Sequence, residues 1–253
     1  MADSNAPSPG ESETSRSGSF NGRVALVTGA TRGIGRAVAK LLAAEGAQTV
    51  LVARTVGALE EVDDEICKAG GLKPTLVPLD LTELDRIDGI GAALYERYGK
   101  LDVLVGNAGA LGVLSPVAHI PPKTWEETFT INVHANYRLL RSLDPLLRLS
   151  EAGRALFVTS GQASKANAYW SLYAATKAAL DALVKSYAEE VQKFGIRANL
   201  LSPGPIRTSM RAEAFPGENP ETLRTPEEIA AAFLPPLQPD YDRTGEVIAL
   251  PRP

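Results

Sequence analysis

The chain has 253 residues, 44% of them hydrophobic and 22% charged, with a formal net charge of -4. Its length suits one large α/β domain, and its mild charge excludes the basic field that a nucleic-acid backbone needs and the polybasic stretch that a membrane surface attracts. A single cysteine, Cys67, excludes an intrachain disulfide, neither His119 nor His134 stands in a metal-ligand spacing, and no apolar run reaches the ~18 residues of a membrane span, so no metal and a cytoplasmic location are expected.

Residues 1–20 are rich in Ser, Pro, Gly and Glu and lack the basic-then-apolar order of a secretory signal. Such a segment buries too little apolar surface to offset its ordering entropy, which predicts a disordered polar tail and leaves 21–253 as one domain beginning in earnest at Arg23. Residues 24–28 form a short apolar run bounded by glycines, a buried strand. Apolar residues then recur at helical spacing over 34–45, and Gly46 ends the run as a C-cap glycine does. The alternation continues: a strand at 49–53, a helix at 56–68 on which Cys67 is expected to pack as a small apolar side chain, and a strand at 75–79. A helix at 84–98 and a strand at 103–105 follow, then a long helix at 124–149. The last elements are a strand at 155–159, a helix at 171–193, a strand at 196–201 and a short strand at 246–250.

Continuously apolar strands alternating with amphipathic helices predict an α/β fold: a doubly wound, parallel, seven-stranded sheet in a Rossmann-type three-layer sandwich. Ligands of such sheets collect at the carboxyl ends of the strands.

The first such end is Thr28-Gly29-Ala30-Thr31-Arg32-Gly33-Ile34-Gly35. A diphosphate needs close backbone approach, exposed N–H groups and the positive end of a helix dipole, and a Gly-rich turn between strand and helix supplies all three. The spacing is GxxxGxG rather than GxGxxG. Where the second strand ends, an NAD site carries a carboxylate for the ribose hydroxyls, but this chain has Ala53 and then Arg54. Arg54 and Arg32 read either as two solvated arginines or as a clamp on a 2′-phosphate, and the clamp predicts a preference for NADP(H), with NAD(H) as the alternative.

Tyr173 and Lys177 lie four apart in a helical segment and share one face. A free tyrosine, with a pKa near ~10, exchanges protons poorly at neutral pH, and a neighbouring ammonium lowers that value. Ser160 ends the fifth strand, where its hydroxyl reaches a substrate oxygen.

With these motifs in place, the chain resembles the short-chain dehydrogenases/reductases of about 250 residues, from about residue 23 to residue 250. The Gly-rich turn matches the family's TGxxxGxG, Asn107-Ala108-Gly109 the end of its NNAG, and Ser160 stands thirteen residues before Tyr173 as the family has it. The resemblance implies that Asp80, with Leu81, touches the adenine, and that Pro203, Gly204, Ile206 and Thr208 contact the nicotinamide carboxamide. It also implies a catalytic tetrad. Tyr173 would exchange a proton with the substrate oxygen, Lys177 would lower the tyrosine pKa and bind the nicotinamide ribose, Ser160 would orient the carbonyl, and Asn132 would hold a relay water. The implied reaction interconverts a small-molecule carbonyl and alcohol. A redox sensor without turnover and a dehydratase or epimerase of the same fold are the rivals.

Two departures stand out. Gly106 replaces the first asparagine of NNAG, which is expected to loosen a contact there, and the chain stops soon after the last strand. Residues 205–225 occupy the position of a substrate lid, and Leu111, Trp170, Met210 and Phe215 are candidates for an apolar pocket wall. The alanine-rich face around Tyr173 predicts a homodimer or homotetramer through the helices carrying Tyr173 and Asn132.

Overall fold

A computed structural model describes residues 18–165 and 167–251. Seven strands form one sheet in the order β3-β2-β1-β4-β5-β6-β7: β1 Val24–Thr28, β2 Gln48–Ala53, β3 Thr75–Pro78, β4 Val103–Gly106, β5 Arg154–Val158, β6 Arg197–Ser202 and β7 Val247–Ala249. Every pairing is parallel. The expected doubly wound sheet is therefore present.

Its two faces follow from strand alternation. Val24 and Leu26 of β1 point into one core with Leu104 of β4 and Phe157 of β5. Three helices cover that side: α4 (Ile90–Tyr98), α6 (Ala135–Leu147) and α7 (Ser171–Val191), through residues such as Leu94, Leu139 and Leu180. Ala25 and Val27 point the other way, beneath α1 (Gly33–Ala44), α2 (Val56–Lys68) and α9 (Pro226–Ala230), which contribute Leu42, Leu59 and Ile229. Each fully buried aliphatic side chain contributes about 1.5–3 kcal/mol, so a polar residue at Leu26 or Leu104 would strike the centre of a layer.

Local differences from the sequence reading have identifiable causes. Residues 1–17 of the expected tail lie outside the described residues, but its last members are built into the fold. Phe20 is fully buried, its N–H donates to Glu45 O at 3.0 Å, and Ser19 Oγ donates to the Glu45 carboxylate at 2.9 Å. The folded chain thus starts before Arg23.

The helix expected at 84–98 is two helices, α3 (Leu84–Asp88) and α4, broken at Gly89. Ser142 of α6 lies at the break: Gly91 N–H donates to its Oγ at 2.9 Å, and that hydroxyl donates to Asp88 O at 3.1 Å. The helix expected at 124–149 is α5 (Pro122–Phe129), a π turn at Thr130–His134 and α6. Cys67, expected to pack as a small apolar group, is instead exposed on α2, where its thiol donates to Asp63 at 3.3 Å and that carboxylate pushes its pKa up.

Candidate active site

The glycine turn is fastened to β4 through Thr28. Its Oγ1 accepts the N–H groups of Asn107 and Ala108, each at 3.0 Å, while Asn107 Nδ2 donates to Thr28 O at 2.9 Å. This fastening explains two glycines. A Cβ on Gly29 would stand 2.9 Å from Asn107 Nδ2, and one on Gly35 would come closer still. Gly33 (φ +52) differs, because its missing Cβ would meet only Thr208, at 3.4 Å. The turn is therefore less crowded on its Thr208 side than on its Asn107 side. Arg32 occupies the N-cap of α1 without a side-chain cap, and no acidic residue sits in the first turn. The helix end thus retains N–H groups and positive potential for a diphosphate. Thr31 and Ile34 flank it half-buried.

At the neighbouring strand ends, Asp80 Oδ1 accepts both N–H and Oγ1 of Thr82 at 2.9 Å. These bonds, the backbone one foremost, hold its carboxyl below the usual carboxylate range, with help from Arg54. The Arg54 guanidinium lies 3.9 Å from Asp80 and is 66% exposed, and Arg32 is exposed as well. Neither arginine is committed to a buried partner. Leu81 is buried beside them in the core.

Tyr173 and Lys177 project from the first turns of α7 against the end of β5. The Ser160 side chain accepts from Gln162 N at 3.2 Å and stands on the side of the Tyr173 phenol. Burial pushes the Tyr173 phenol up to about 12, and Ser160 opposes that rise. Lys177 does not supply the acidifying contact expected of it. Its Nζ donates to Val158 O at 2.9 Å and lies 5.8 Å from the centre of the Tyr173 ring. Burial in turn lowers Lys177 to about 8, with Asp181 opposing. The phenol therefore holds its proton in the neutral range, and the ammonium sits near its own titration point.

Asn132 is bonded on every side. Its amide is spent on structure: Oδ1 accepts Ala110 N and Nδ2 donates to Ala110 O, both at 2.8 Å, with a further bond to Thr176 Oγ1 at 3.0 Å. Its own carbonyl accepts Asn136 Nδ2 at 2.8 Å. With both amide hydrogens and Oδ1 engaged, Asn132 braces the loop after β4 against α7. Gly109 lies in that loop, and a Cβ there would sit 3.3 Å from Asn132 Oδ1 and 3.5 Å from Lys177 Nζ. The NAG segment thus runs directly past the helix that carries Tyr173 and Lys177.

The Gly106 expectation is reversed. A Cβ at this position would stand 2.5 Å from Phe157 Cε1, closer still to Cδ1, and 3.1 Å from Asn136 Oδ1. The Phe157 ring fills the space a larger residue would need, so the glycine tightens the packing.

On the opposite side, Pro203 is buried and Gly204 (φ +77) is exposed. Ile206 is buried, and Thr208 caps the short helix α8 (Ser209–Ala214) by accepting from Arg211 N. The expected lid is a tied loop. Ile206 bridges to Arg224, and Arg207 N donates to Arg224 O at 2.9 Å. Inside it Arg211 forms two 2.6 Å bonds to Glu218 and lies 3.7 Å over the Phe215 ring. Phe215 in turn packs at a 30° tilt against Trp170 (5.6 Å between centroids), which meets Tyr173 edge-on at 6.0 Å. Two of the four pocket candidates are thus brought to the tyrosine; Leu111 is buried and Met210 half-buried.

The sequence reading placed Thr28 in the glycine turn without a role for its side chain, and missed Thr176 and Asn199. Asn199 fastens β6 by donating to Arg243 O at 2.9 Å and accepting Glu246 N at 3.0 Å. Among the described residues no group of three or more metal-type side chains converges, and no helix is long and apolar enough to cross a membrane.

The sequence profile of the short chain dehydrogenase family matches residues 23–219. The chain is 36% identical over 217 residues to the uncharacterized oxidoreductase YciK of Escherichia coli K12, covering 85% of this chain and 86% of that one. A short chain dehydrogenase of Shigella flexneri 2a str. 301, crystallised with NADP, superposes with a TM-score of 0.89 at 35% identity, covering 92% of this chain and 98% of that one. One from Escherichia coli CFT073, crystallised with NADPH, gives 0.88 at 35% identity over 91% and 97%. The profile spans most of the chain and falls on the glycine turn, the NAG segment and the Tyr173 helix: this protein belongs to the short-chain dehydrogenase family.

Proposed function

We propose that the protein interconverts a carbonyl and an alcohol with NADP(H) as its redox partner. The observation that carries this reading is a buried phenol, Tyr173, whose proton affinity Ser160 lowers, one helical turn from the buried Lys177, with Gly109 of the NAG segment against that lysine. When bound, the dinucleotide supplies or takes up the hydride. The uncapped N-terminus of α1 with Gly29, Thr31, Gly33, Ile34 and Gly35 fits its diphosphate, and Arg32 and Arg54 fit a 2′-phosphate. Asp80 and Leu81 fit the adenine end; Asn107, Ala108, Gly109, Pro203, Gly204, Ile206 and Thr208 line the path to the nicotinamide. The two relatives crystallised with NADP and NADPH support this preference.

In reduction Ser160 orients the carbonyl oxygen and Tyr173 Oη delivers the proton. A phenol pushed up to about 12 keeps that proton until the oxygen becomes basic enough to take it. Lys177, held by Val158 O, would bind the nicotinamide ribose, and Asn132 braces the loop that runs past the lysine. Trp170 and Phe215 wall the entrance on the lid side.

We also propose that two copies pair through α6 and α7. Tyr137 is half exposed on α6, and Ala174, Ala175 and Ala178 line a shallow depression on α7. The function is tested by following nicotinamide absorbance over a panel of carbonyls and alcohols with NADPH and NADH. Turnover faster with NADPH supports the proposal. No turnover with either, despite tight NADPH binding, favours a sensor. Sedimentation showing a monomer at micromolar concentration refutes the pairing.

A further inference from the structure

Three consecutive residues at the end of β5 meet three successive turns of α7. Ser160 faces Tyr173 and lowers its proton affinity, Val158 O accepts Lys177 Nζ at 2.9 Å, and Thr159 Oγ1 donates to Asp181 Oδ1. Tyr173, Lys177 and Asp181 stand at i, i+4 and i+8, which places them along one stripe of the helix. The first two rungs carry the proposed chemistry. The third belongs to no motif in the sequence, yet it is built with comparable care: Thr159 is 2% exposed and its N–H donates to Leu201 O at 2.9 Å, so the hydroxyl that grips Asp181 is itself pinned to the sheet.

We infer that Asp181, tethered by Thr159, is a positioning residue that sets the height of Ser160 against α7 and keeps the Lys177 ammonium charged. The inference rests on the oxidoreductase reading. A carboxylate one turn beyond a buried ammonium favours the charged lysine, which burial disfavours. The groups facing Asp181 are Lys177 and Lys185 on its own helix and Thr159 from the sheet; burial raises its pKa, while Thr159 and the two lysines hold it down. Lys185 is exposed and its charge is screened by solvent. Lys177 faces Asp181, the Tyr173 ring, Val158 O and the Gly109 loop. Asp181 is thus the carboxylate that acts on it. The tether adds geometry: it joins the residue next to Ser160 directly to α7, and its loss would relax the register of Ser160 against Tyr173.

The test compares Asp181→Asn, Asp181→Glu and Thr159→Val with the parent protein. One readout is the alkaline limb of kcat/KM for carbonyl reduction. The other is the NMR titration of the Lys177 Cε methylene, assigned by its loss in Lys177→Met, which needs no turnover. Asp181→Asn is expected to lower kcat roughly tenfold or more with NADPH affinity within about twofold. Both the limb and the lysine titration should move to lower pH, because an ammonium deprived of its carboxylate gives up its proton more easily. Thr159→Val keeps the charge and loses the tether, so kcat falls with the limb in place, and Asp181→Glu recovers part of the loss.

A Lys177 titration unmoved in Asp181→Asn overturns the inference, as does a change confined to Tm. Should Asp181→Asn fail to fold, Thr159→Val and Asp181→Glu decide: full kcat in both refutes positioning, and loss in Thr159→Val with partial recovery in Asp181→Glu supports it. Absence of turnover in the parent protein sinks the oxidoreductase reading instead, and the lysine titration then decides the electrostatic role alone.

Discussion

Restoring the family's asparagine at position 106 should damage this protein. In Gly106→Asn the new Cβ falls 2.5 Å from Phe157 Cε1 and 3.1 Å from Asn136 Oδ1, where van der Waals contact needs well over 3 Å. Phe157 is fully buried in the core beneath α6 and α7, so its ring has no solvent to swing into. Overpacking of this kind costs about 1–3 kcal/mol, and a buried amide without assured partners adds about 1–3 kcal/mol. A total near 3 kcal/mol corresponds to a fall in Tm of about 6–12 °C for a domain of this size. Thermal melts of Gly106→Asn, Phe157→Leu and the double variant measure it. Because the clash is between these two side chains, the double variant should lose less than the sum of the singles, with a coupling of about 0.5–3 kcal/mol. Gly106→Asn melting with the parent protein, or strictly additive losses, would refute the packing argument.

Lys177 has a pKa of about 8 in the fold against 10.5 ordinarily, with burial the main cause. The penalty for burying its ammonium is complete below about pH 8 and fades as pH rises toward 10.5, where the unfolded chain binds the extra proton, so this group makes stability rise across that window. Urea melts on either side of about pH 8 should show that rise relative to Lys177→Met; equal pH dependence contradicts it. Arg54→Ala should weaken NADPH binding about 10- to 100-fold, as loss of a charge-assisted contact does, and leave NADH binding unchanged, by fluorescence titration. Equal effects on the two cofactors would disprove the 2′-phosphate role. Arg211→Ala removes both bonds to Glu218 and the cap over Phe215, so limited proteolysis should nick residues 205–225 faster while the rest of the chain resists.

The sheet was legible in the sequence because a strand covered on both faces must be apolar throughout, and runs such as residues 24–28 and 49–53 are. The glycine turn, Tyr173 and Lys177 were legible because backbone approach and a shared helix face impose fixed local spacings. Breaks within helices were not. Gly89 interrupts an apolar period that runs straight through it, and the π turn at Thr130–His134 is accompanied by Asn132 bonds to a loop twenty-two residues away. Thr28, Asn199 and Asp181 stayed hidden for the same reason: each acts through partners distant in sequence, where no periodicity reaches. The predicted tail ran too far because Phe20 stands alone among small polar residues, and a single buried aromatic leaves no pattern.

The central claim is that Tyr173 Oη passes the proton. Single-turnover oxidation of NADPH by a reactive carbonyl, in the parent protein and in Tyr173→Phe, tests it most directly. The account predicts that the phenylalanine variant folds, binds NADPH with the parent's affinity and loses about 10²–10⁴ in rate. A variant that binds NADPH normally and turns over near the parent rate contradicts it.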